Sequence, residues 1–259
     1  MIGIFDSGSG GLSVLAPLRR RAPMADIVYF ADIANLPYGE KTTQEIDRLT
    51  YAGIHTLITH GATQIINACN TVSAFLTPGH ISVFDIEKQN VLEMIGPVLC
   101  GTKKKNYKKI ALVATRATIR SGAYQRGLDM LGIESFPLVA SDLVLAIESG
   151  APEDALRAIT DRLVKAMSEA GCDALLLGCT HFPLVRSVFE TSLKNINDGI
   201  TIIDPAEYVV EEAVRRFDLN GEGKTLFVLS KESSVFDNNV MRLLGDQQYD
   251  FVSETPRFF

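Results

Sequence analysis

No apolar run in the sequence is long enough to cross a membrane. Its longest stretches, such as Ile110-Ala111-Leu112-Val113-Ala114, are strand-sized, far short of the ~20 residues that a spanning helix needs. A signal-peptide core is also lacking, because the chain reaches Asp6 and a glycine cluster where that core would stand. The Arg19-Arg20-Arg21 run follows an amphipathic stretch through Leu12, Leu15 and Leu18, and reads as the charged end of a helix. A cytoplasmic location and no membrane partner are therefore expected. Positive charge is not in excess either. The formal net charge of −6 leaves little with which to pair phosphates, so no nucleic-acid partner is expected. The one basic cluster, Lys103-Lys104-Lys105 with Lys108-Lys109, contains Asn106 and Tyr107 and reads as a solvated loop before a strand.

Cysteine is scarce and wrongly spaced for two common uses. Four thiols, Cys69, Cys100, Cys172 and Cys179, do not make a disulfide framework in a chain of this size. There is no C-x-x-C pair and only Cys179 and His181 sit close, so no metal is expected. Nucleotide-binding glycine motifs are absent in their usual form, since neither G-x-G-x-x-G with its following acid nor the P-loop lysine is present.

What is there is alternation. The chain has 259 residues, 46% of them hydrophobic, enough for one large domain or two modest lobes. Apolar runs at 2–5, 27–31, 65–66 and 81–84 read as buried strands of a first half. Runs at 110–114, 136–139, 174–177 and 200–203 read as those of a second. Helical patterns cover 43–60, 155–170 and 206–217. Strand and helix in alternation imply parallel sheets flanked by helices, a doubly wound α/β fold. The halves also echo each other: Gln64-Ile65-Ile66-Asn67-Ala68-Cys69-Asn70-Thr71 is like Ala174-Leu175-Leu176-Leu177-Gly178-Cys179-Thr180-His181. Two similar lobes are expected, 1–95 plus 207–259 and 96–206, with the chain after about residue 204 returning to the first. Ligands of open α/β sheets bind beyond the carboxyl ends of the strands, which puts an active site in the cleft, with both cysteines at it.

The segment Phe5-Asp6-Ser7-Gly8-Ser9-Gly10-Gly11 is a strand-to-helix turn. Its glycines allow tight turning, and the next helix offers N–H groups to an anion. Asp6 argues against phosphate; an acid beside an anion site suits an amino acid, which carries both charges. A plain turn explains the glycines equally well. Further on, Pro37-Tyr38-Gly39 sets a rigid turn whose amides and hydroxyl would line a pocket. Free cysteine is commonly a packing residue, and Cys100 and Cys172 are assigned to structure. Cys69 and Cys179 differ. Each sits where a helix is about to begin, which is expected to lower the thiol pKa from ~8.5. Each is also followed by side chains that can hold a carboxylate, Asn70-Thr71 and Thr180-His181.

One cysteine beside His181 would suit a cysteine hydrolase. Two equivalent thiols from two lobes suit racemisation better, since one base must take an α-proton from one face while an acid delivers a proton to the other. Without pyridoxal phosphate as an electron sink, the carbanion must be stabilised electrostatically in a closed, dry pocket.

Together, IGIFDSGSGGLSVL, YFADIANLPYGEKT, NACNTVSA, ATRATIRSGAY and GCTHFPL closely resemble the glutamate racemases of the aspartate/glutamate racemase family. The resemblance implies that Cys69 and Cys179 are the two catalytic thiols, that Asp6 assists the first and that His181 assists the second. It implies that Glu148, in Leu-Ala-Ile-Glu-Ser-Gly, works with His181. Ser7, Pro37, Tyr38, Gly39, Asn70, Thr71 and Thr180 match substrate-contacting positions. Cofactor-free interconversion of L- and D-glutamate, supply of D-glutamate for peptidoglycan, and a homodimer are implied as well. Two regions depart from the pattern. Thr77-Pro78-Gly79 stands where a longer crossover helix is usual, with Phe84-Asp85-Ile86-Glu87 in place of Val-Ile-Glu-Pro. Leu229-Ser230-Lys231-Glu232 stands in place of a Thr-Thr-Gly-Asp turn. A racemase of aspartate or another acidic amino acid stays open on these grounds, as does a non-catalytic amino-acid-binding protein of the same two-lobed form.

Overall fold

Strands buried on both faces build the architecture. The computed structural model describes residues 1–84, 86–245 and 249–255. In β1 (Ile2–Asp6), Ile2 and Ile4 enter one core and Phe5 another. In β2 (Ile27–Ala31), Ile27, Tyr29 and Ala31 join the first core, Val28 and Phe30 the second. Continuous apolar strands of this kind need helices on both sides. Those helices are α1 (Leu12–Arg21), on the first core, and α2 (Thr43–Thr59), on the second. The chain continues through β3 (Gln64–Asn67), the short α3 (Asn70–Ser73), α4 (Pro78–Ser82), β4 (Val91–Glu93) and α5 (Ile95–Thr102).

A second unit follows: β5 (Lys109–Ala114), α6 (Arg116–Ser121), α7 (Ala123–Met130), β6 (Glu134–Val139), α8 (Ser141–Glu148), α9 (Glu153–Glu169), β7 (Ala174–Gly178), α10 (Arg186–Ile196) and β8 (Thr201–Ile203). Then α11 (Pro205–Arg216) leads to β9 (Thr225–Leu229), α12 (Ser234–Leu244) and β10 (Asp250–Ser253).

Two wholly parallel sheets result, in the orders β10-β9-β2-β1-β3-β4 and β6-β5-β7-β8. The echo in the sequence is an echo in topology. In each sheet the first strand is central, the second lies to one side, and the third and fourth lie to the other. Strand order therefore reverses between β1 and β3, and again between β5 and β7, the two crevices where α/β sheets take ligands. The chain does return to the first sheet, through β9 beside β2. Among the described residues, no helix is long and apolar enough to cross a membrane.

Several readings of the sequence need correction. The run at 81–84 is not a strand, for Pro78 opens α4 there. Thr77 and His80 cap that helix reciprocally, with the Thr77 N–H donated to His80 Nδ1 at 3.0 Å, and proline at the first helical position is pre-set for it. The fourth strand is instead Val91–Glu93, paired with β3. The crossover after Cys69 is thus not shortened: residues 70–90 fill it, and Val91-Leu92-Glu93-Met94 stands at the strand end where Val-Ile-Glu-Pro is usual. Asp85, in the segment first read as that pattern, lies outside the described residues, as do 246–248 and 256–259 of the expected first lobe. The run at 136–139 belongs to an edge strand, part-exposed, where Pro137 costs no ladder bond. Cys172 is buried, but Cys100 is exposed and packs no core.

The Arg19-Arg20-Arg21 run does end α1, yet Arg19 turns inward. Its guanidinium donates to the carbonyls of Pro23, Ala25 and Lys224 and to Thr225 Oγ1, at 2.6–3.0 Å, fastening the returning β9 to the first helix. Replacement by an apolar side chain strands these acceptors. Arg19→Met should lower the unfolding free energy by about 2–4 kcal/mol, read from urea denaturation, whereas Arg20→Met, at an exposed position, should change it little.

Candidate active site

Four strand ends meet between the sheets. Asp6 closes β1 and is fully buried. It accepts the Gly8 N–H at 2.9 Å and, from the other lobe, the Thr180 hydroxyl at 3.0 Å. Burial pushes its carboxyl above the usual range, against the pull of His181 and these hydrogen bonds. Cys69 follows β3 and caps α3, with its thiol directed at Ser7 Oγ, 3.6 Å away. Cys179 follows β7, with its sulfur 3.6 Å from His181 Nδ1. Both thiols are nearly inaccessible, at 4% and 6% exposure.

The neighbours of the two sulfurs carry opposite charge. Burial and then the Asp6 carboxylate push the Cys69 thiol up to about 12. The expectation that a helix start would favour thiolate there is overturned: α3 has only four residues, and its few N–H groups cannot offset desolvation beside an anion. Cys179 is followed by a 3-10 turn, Phe182–Val185, rather than an α-helix. Its partner His181 has Nε2 2.6 Å from Glu148 Oε1. Burial opposes charge on both members of this pair, but it is outweighed at His181 by the hydrogen bonds to Cys179 and Glu148, and at Glu148 by His181 and the Ser9 donors. His181 is raised well above the ordinary imidazole range, and Glu148 is held down at about 2. The pair is therefore imidazolium and carboxylate.

Glu148 also explains the glycine-rich turn. The same Oε1 accepts the Ser9 N–H and the Ser9 hydroxyl, each at 2.8 Å. The anion at the turn is thus the protein's own carboxylate, delivered from α8 of the second lobe. A Cβ at Gly8 would lie 2.6 Å from Glu148 Oε1, and one at Gly10 2.5 Å from Thr180 Oγ1 and 2.6 Å from His181 Nδ1. The other lobe presses on the turn at Gly8 and Gly10, while Gly11 is pressed by Tyr29 and Asp6 of its own lobe.

The expected contact residues gather here, with their polar groups already partly committed. Pro37 follows a cis peptide. The Tyr38 hydroxyl is committed elsewhere, as it donates to Asp32 Oδ2 at 2.6 Å. Gly39 packs against Thr115, 2.5 Å from where a Cβ would be. Asn70 Oδ1 accepts the Tyr124 hydroxyl, while its Nδ2 is buried without a partner. Thr71 shares hydrogen bonds with Thr115 and Thr118 at 2.9 and 3.3 Å. Sequence reasoning quoted the segment holding Thr115, Thr118 and Tyr124 but drew no residue from it. A signal was available: Thr115 follows β5 as Ser7 follows β1, the same topological place. Ser9 and Asp32 were also passed over. Among the described residues no group of three His, Cys, Asp or Glu side chains is set to hold a metal.

Two consequences can be measured. Gly10→Ala should depress the thermal midpoint by several degrees, since the buried Thr180 and His181 must move. Gly199→Ala, whose added carbon meets nothing closer than 3.4 Å, should not. The second concerns acid. Glu148 lies at about 2 against 4.5 for a free side chain, so it stabilises the folded state above pH ~4.5 and loses that contribution as pH falls toward 2. The contribution is on the order of 3 kcal/mol. The stability gap between the wild type and Glu148→Gln, followed by urea melts, should be wide near pH 6 and close by pH 2.

The sequence and the fold both match known proteins. The sequence model of the Asp/Glu/Hydantoin racemases matches residues 13–213. A glutamate racemase of Picosynechococcus sp. is 34% identical over 223 residues, covering 85% of this chain and 77% of the relative. The crystal structure of glutamate racemase isoform RacE1 from Bacillus anthracis superposes with a TM-score of 0.84 at 25% identity, covering 99% of this chain and 98% of that one. The glutamate racemase of Francisella tularensis, solved with D-glutamate, does so with 0.84 at 26% identity, covering 98% and 96%. The chain belongs to the Asp/Glu/Hydantoin racemase family.

Proposed function

We propose that this chain is a glutamate racemase that inverts the α-carbon with two thiols and no cofactor. The observation that carries the reading is the pair of buried cysteines on equivalent strand ends of two like-built lobes, Cys69 beside Asp6 and Cys179 beside the His181–Glu148 ion pair. Relatives that are named glutamate racemases support the substrate. In one direction Cys69 acts as thiolate and takes the α-proton, while the Cys179 thiol protonates the opposite face. In the other direction the roles exchange.

Each thiol has a partner suited to this exchange. With its affinity raised by burial, the Asp6 carboxylate is a better base than a free one and can accept a proton from Cys69. Burial and the Asp6 carboxylate raise the Cys69 thiol to about 12, and the ammonium of a bound amino acid adds the positive charge that thiolate needs there. On the far side the His181 imidazolium presents Nδ1 to Cys179, as a donor when the sulfur is anionic, and Glu148 keeps the ring charged and oriented. The carbanion between them gains from a closed, low-dielectric site with fixed dipoles. In this reading, Ser7, the Pro37-Tyr38-Gly39 backbone, Asn70, Thr71 and Thr180 hold the substrate. The enzyme works as a cytoplasmic homodimer that supplies D-glutamate for peptidoglycan.

Incubation with L-glutamate in D₂O, with no added cofactor, should yield D-glutamate deuterated at Cα. If neither inversion nor exchange occurs, the reading is wrong; inversion of aspartate in preference would move it to a sister activity. Cys69→Ser and Cys179→Ser should each cut turnover by ~10²–10⁴-fold while circular dichroism shows an unchanged fold. A hydrolase would instead lose activity with one of the two and accumulate an acyl-enzyme.

A further inference from the structure

The carboxamide of Asn70 is held from the opposite lobe. Tyr124, on α7 and completely buried, donates its hydroxyl to Asn70 Oδ1 at 2.6 Å. Among the described residues that is the hydroxyl's one hydrogen bond, and Asn70 Nδ2 has none. Burial, and then the charges of Glu93, Cys179 and Asp204, keep the phenol protonated far beyond its ordinary range. It must therefore donate, and Asn70 Oδ1 is its acceptor. A flipped amide would set NH₂ against the phenol and strand its proton. It would also turn an oxygen, which can only accept, toward the site.

We propose that Tyr124 is a positioning residue for substrate binding: by occupying Asn70 Oδ1 it fixes the carboxamide so that Nδ2, a donor, is the atom offered to a substrate carboxylate. The proposal rests on the reading of Asn70 as a substrate contact. It adds a dependence between the lobes, since Asn70 belongs to the lobe of Cys69 and Tyr124 to that of Cys179. The donor is correctly oriented only while the two lobes are together. With Asn70 misoriented, the hydrogen bond from Nδ2 to the substrate carboxylate would become a repulsion between oxygens.

The test is a double-mutant cycle on steady-state racemisation of glutamate in both directions, with wild type, Tyr124→Phe, Asn70→Ala and the double variant. Tyr124→Phe keeps the buried ring and should raise KM about tenfold, as for loss of one well-placed hydrogen bond to a charged group, with kcat within about threefold. Asn70→Ala should raise KM at least as much. In the Asn70→Ala background the tyrosine change should have no further effect, because its action passes through the amide. Effects that multiply fully in the double variant, or an unchanged KM in Tyr124→Phe while Asn70→Ala raises it, would overturn the positioning role and leave Asn70 as a contact. An unchanged KM in Asn70→Ala would remove the contact and the positioning role together. Should Tyr124→Phe not fold, Tyr124→Met fills the same space without a hydroxyl and carries the same cycle.

Discussion

One carboxylate oxygen joins the two lobes at the candidate site. Glu148 Oε1 receives the Ser9 N–H, the Ser9 hydroxyl and His181 Nε2. A buried carboxylate is costly unless it is paired and fully hydrogen-bonded, and three donors on one atom meet that demand. Much of the neighbourhood follows from it. Gly8 has no side chain because the carboxylate occupies that space, and Gly10 has none because His181 and Thr180 do. The imidazolium, held by the same oxygen, keeps Nδ1 on the Cys179 sulfur. Loss of the carboxylate would therefore loosen the lobe contact, the histidine and the thiol's partner at once.

The duplicated topology explains why there are two thiols, and the departures from duplication explain why they are not alike. Cys69 and Cys179 occupy the same place, after the third strand of each sheet. The last residue of the first strand differs: Asp6 in one lobe, Ala114 in the other. The anion thus falls on the Cys69 side, while the cation, His181, comes from the chain just beyond Cys179. A site with one negative and one positive flank matches an amino acid's own separated charges. It also gives each sulfur a proton partner of the opposite kind. Symmetric backbones supply opposed positions; asymmetric side chains supply direction.

Most of the fold was legible because its strands are short, apolar and buried on both faces, and strand-sized runs bounded by turns are hard to misread. The exceptions have identifiable causes. The 81–84 run is apolar enough for a strand, but Thr77, Pro78 and His80 supply a helix cap just before it. Val91-Leu92-Glu93 is too short to stand out, and is a strand only because β3 lies beside it. Among site residues, the two cysteines could be found from repetition alone. Their electrostatics could not, since burial and the distance to Asp6 are properties of the assembled cleft. For the same reason a thiol expected to be acidic at Cys69 is held at about 12. Thr115, Thr118 and Tyr124 act across the lobes, and no local pattern marks a hydroxyl whose partner is 44 to 54 residues away.

The ties that close the cleft are polar, and this bears on how a substrate enters a site whose thiols are almost wholly covered. Glu148 to Ser9, Thr180 to Asp6, Thr71 to Thr115 and Tyr124 to Asn70 are hydrogen bonds, and at the rim Arg116 meets Glu40 while Arg120 reaches the Lys41 carbonyl. When such contacts part in water, both partners rehydrate, so opening costs far less than separating an apolar interface of equal area. Among the described residues the chain passes between the sheets at two places, between β4 and β5 and between β8 and β9. Helices α5 and α11 at these crossings pack on each other, so one side of the molecule is tethered and the other is held by exchangeable bonds. That division suits a reaction that must admit a charged, hydrated substrate and then exclude water from the carbanion it makes.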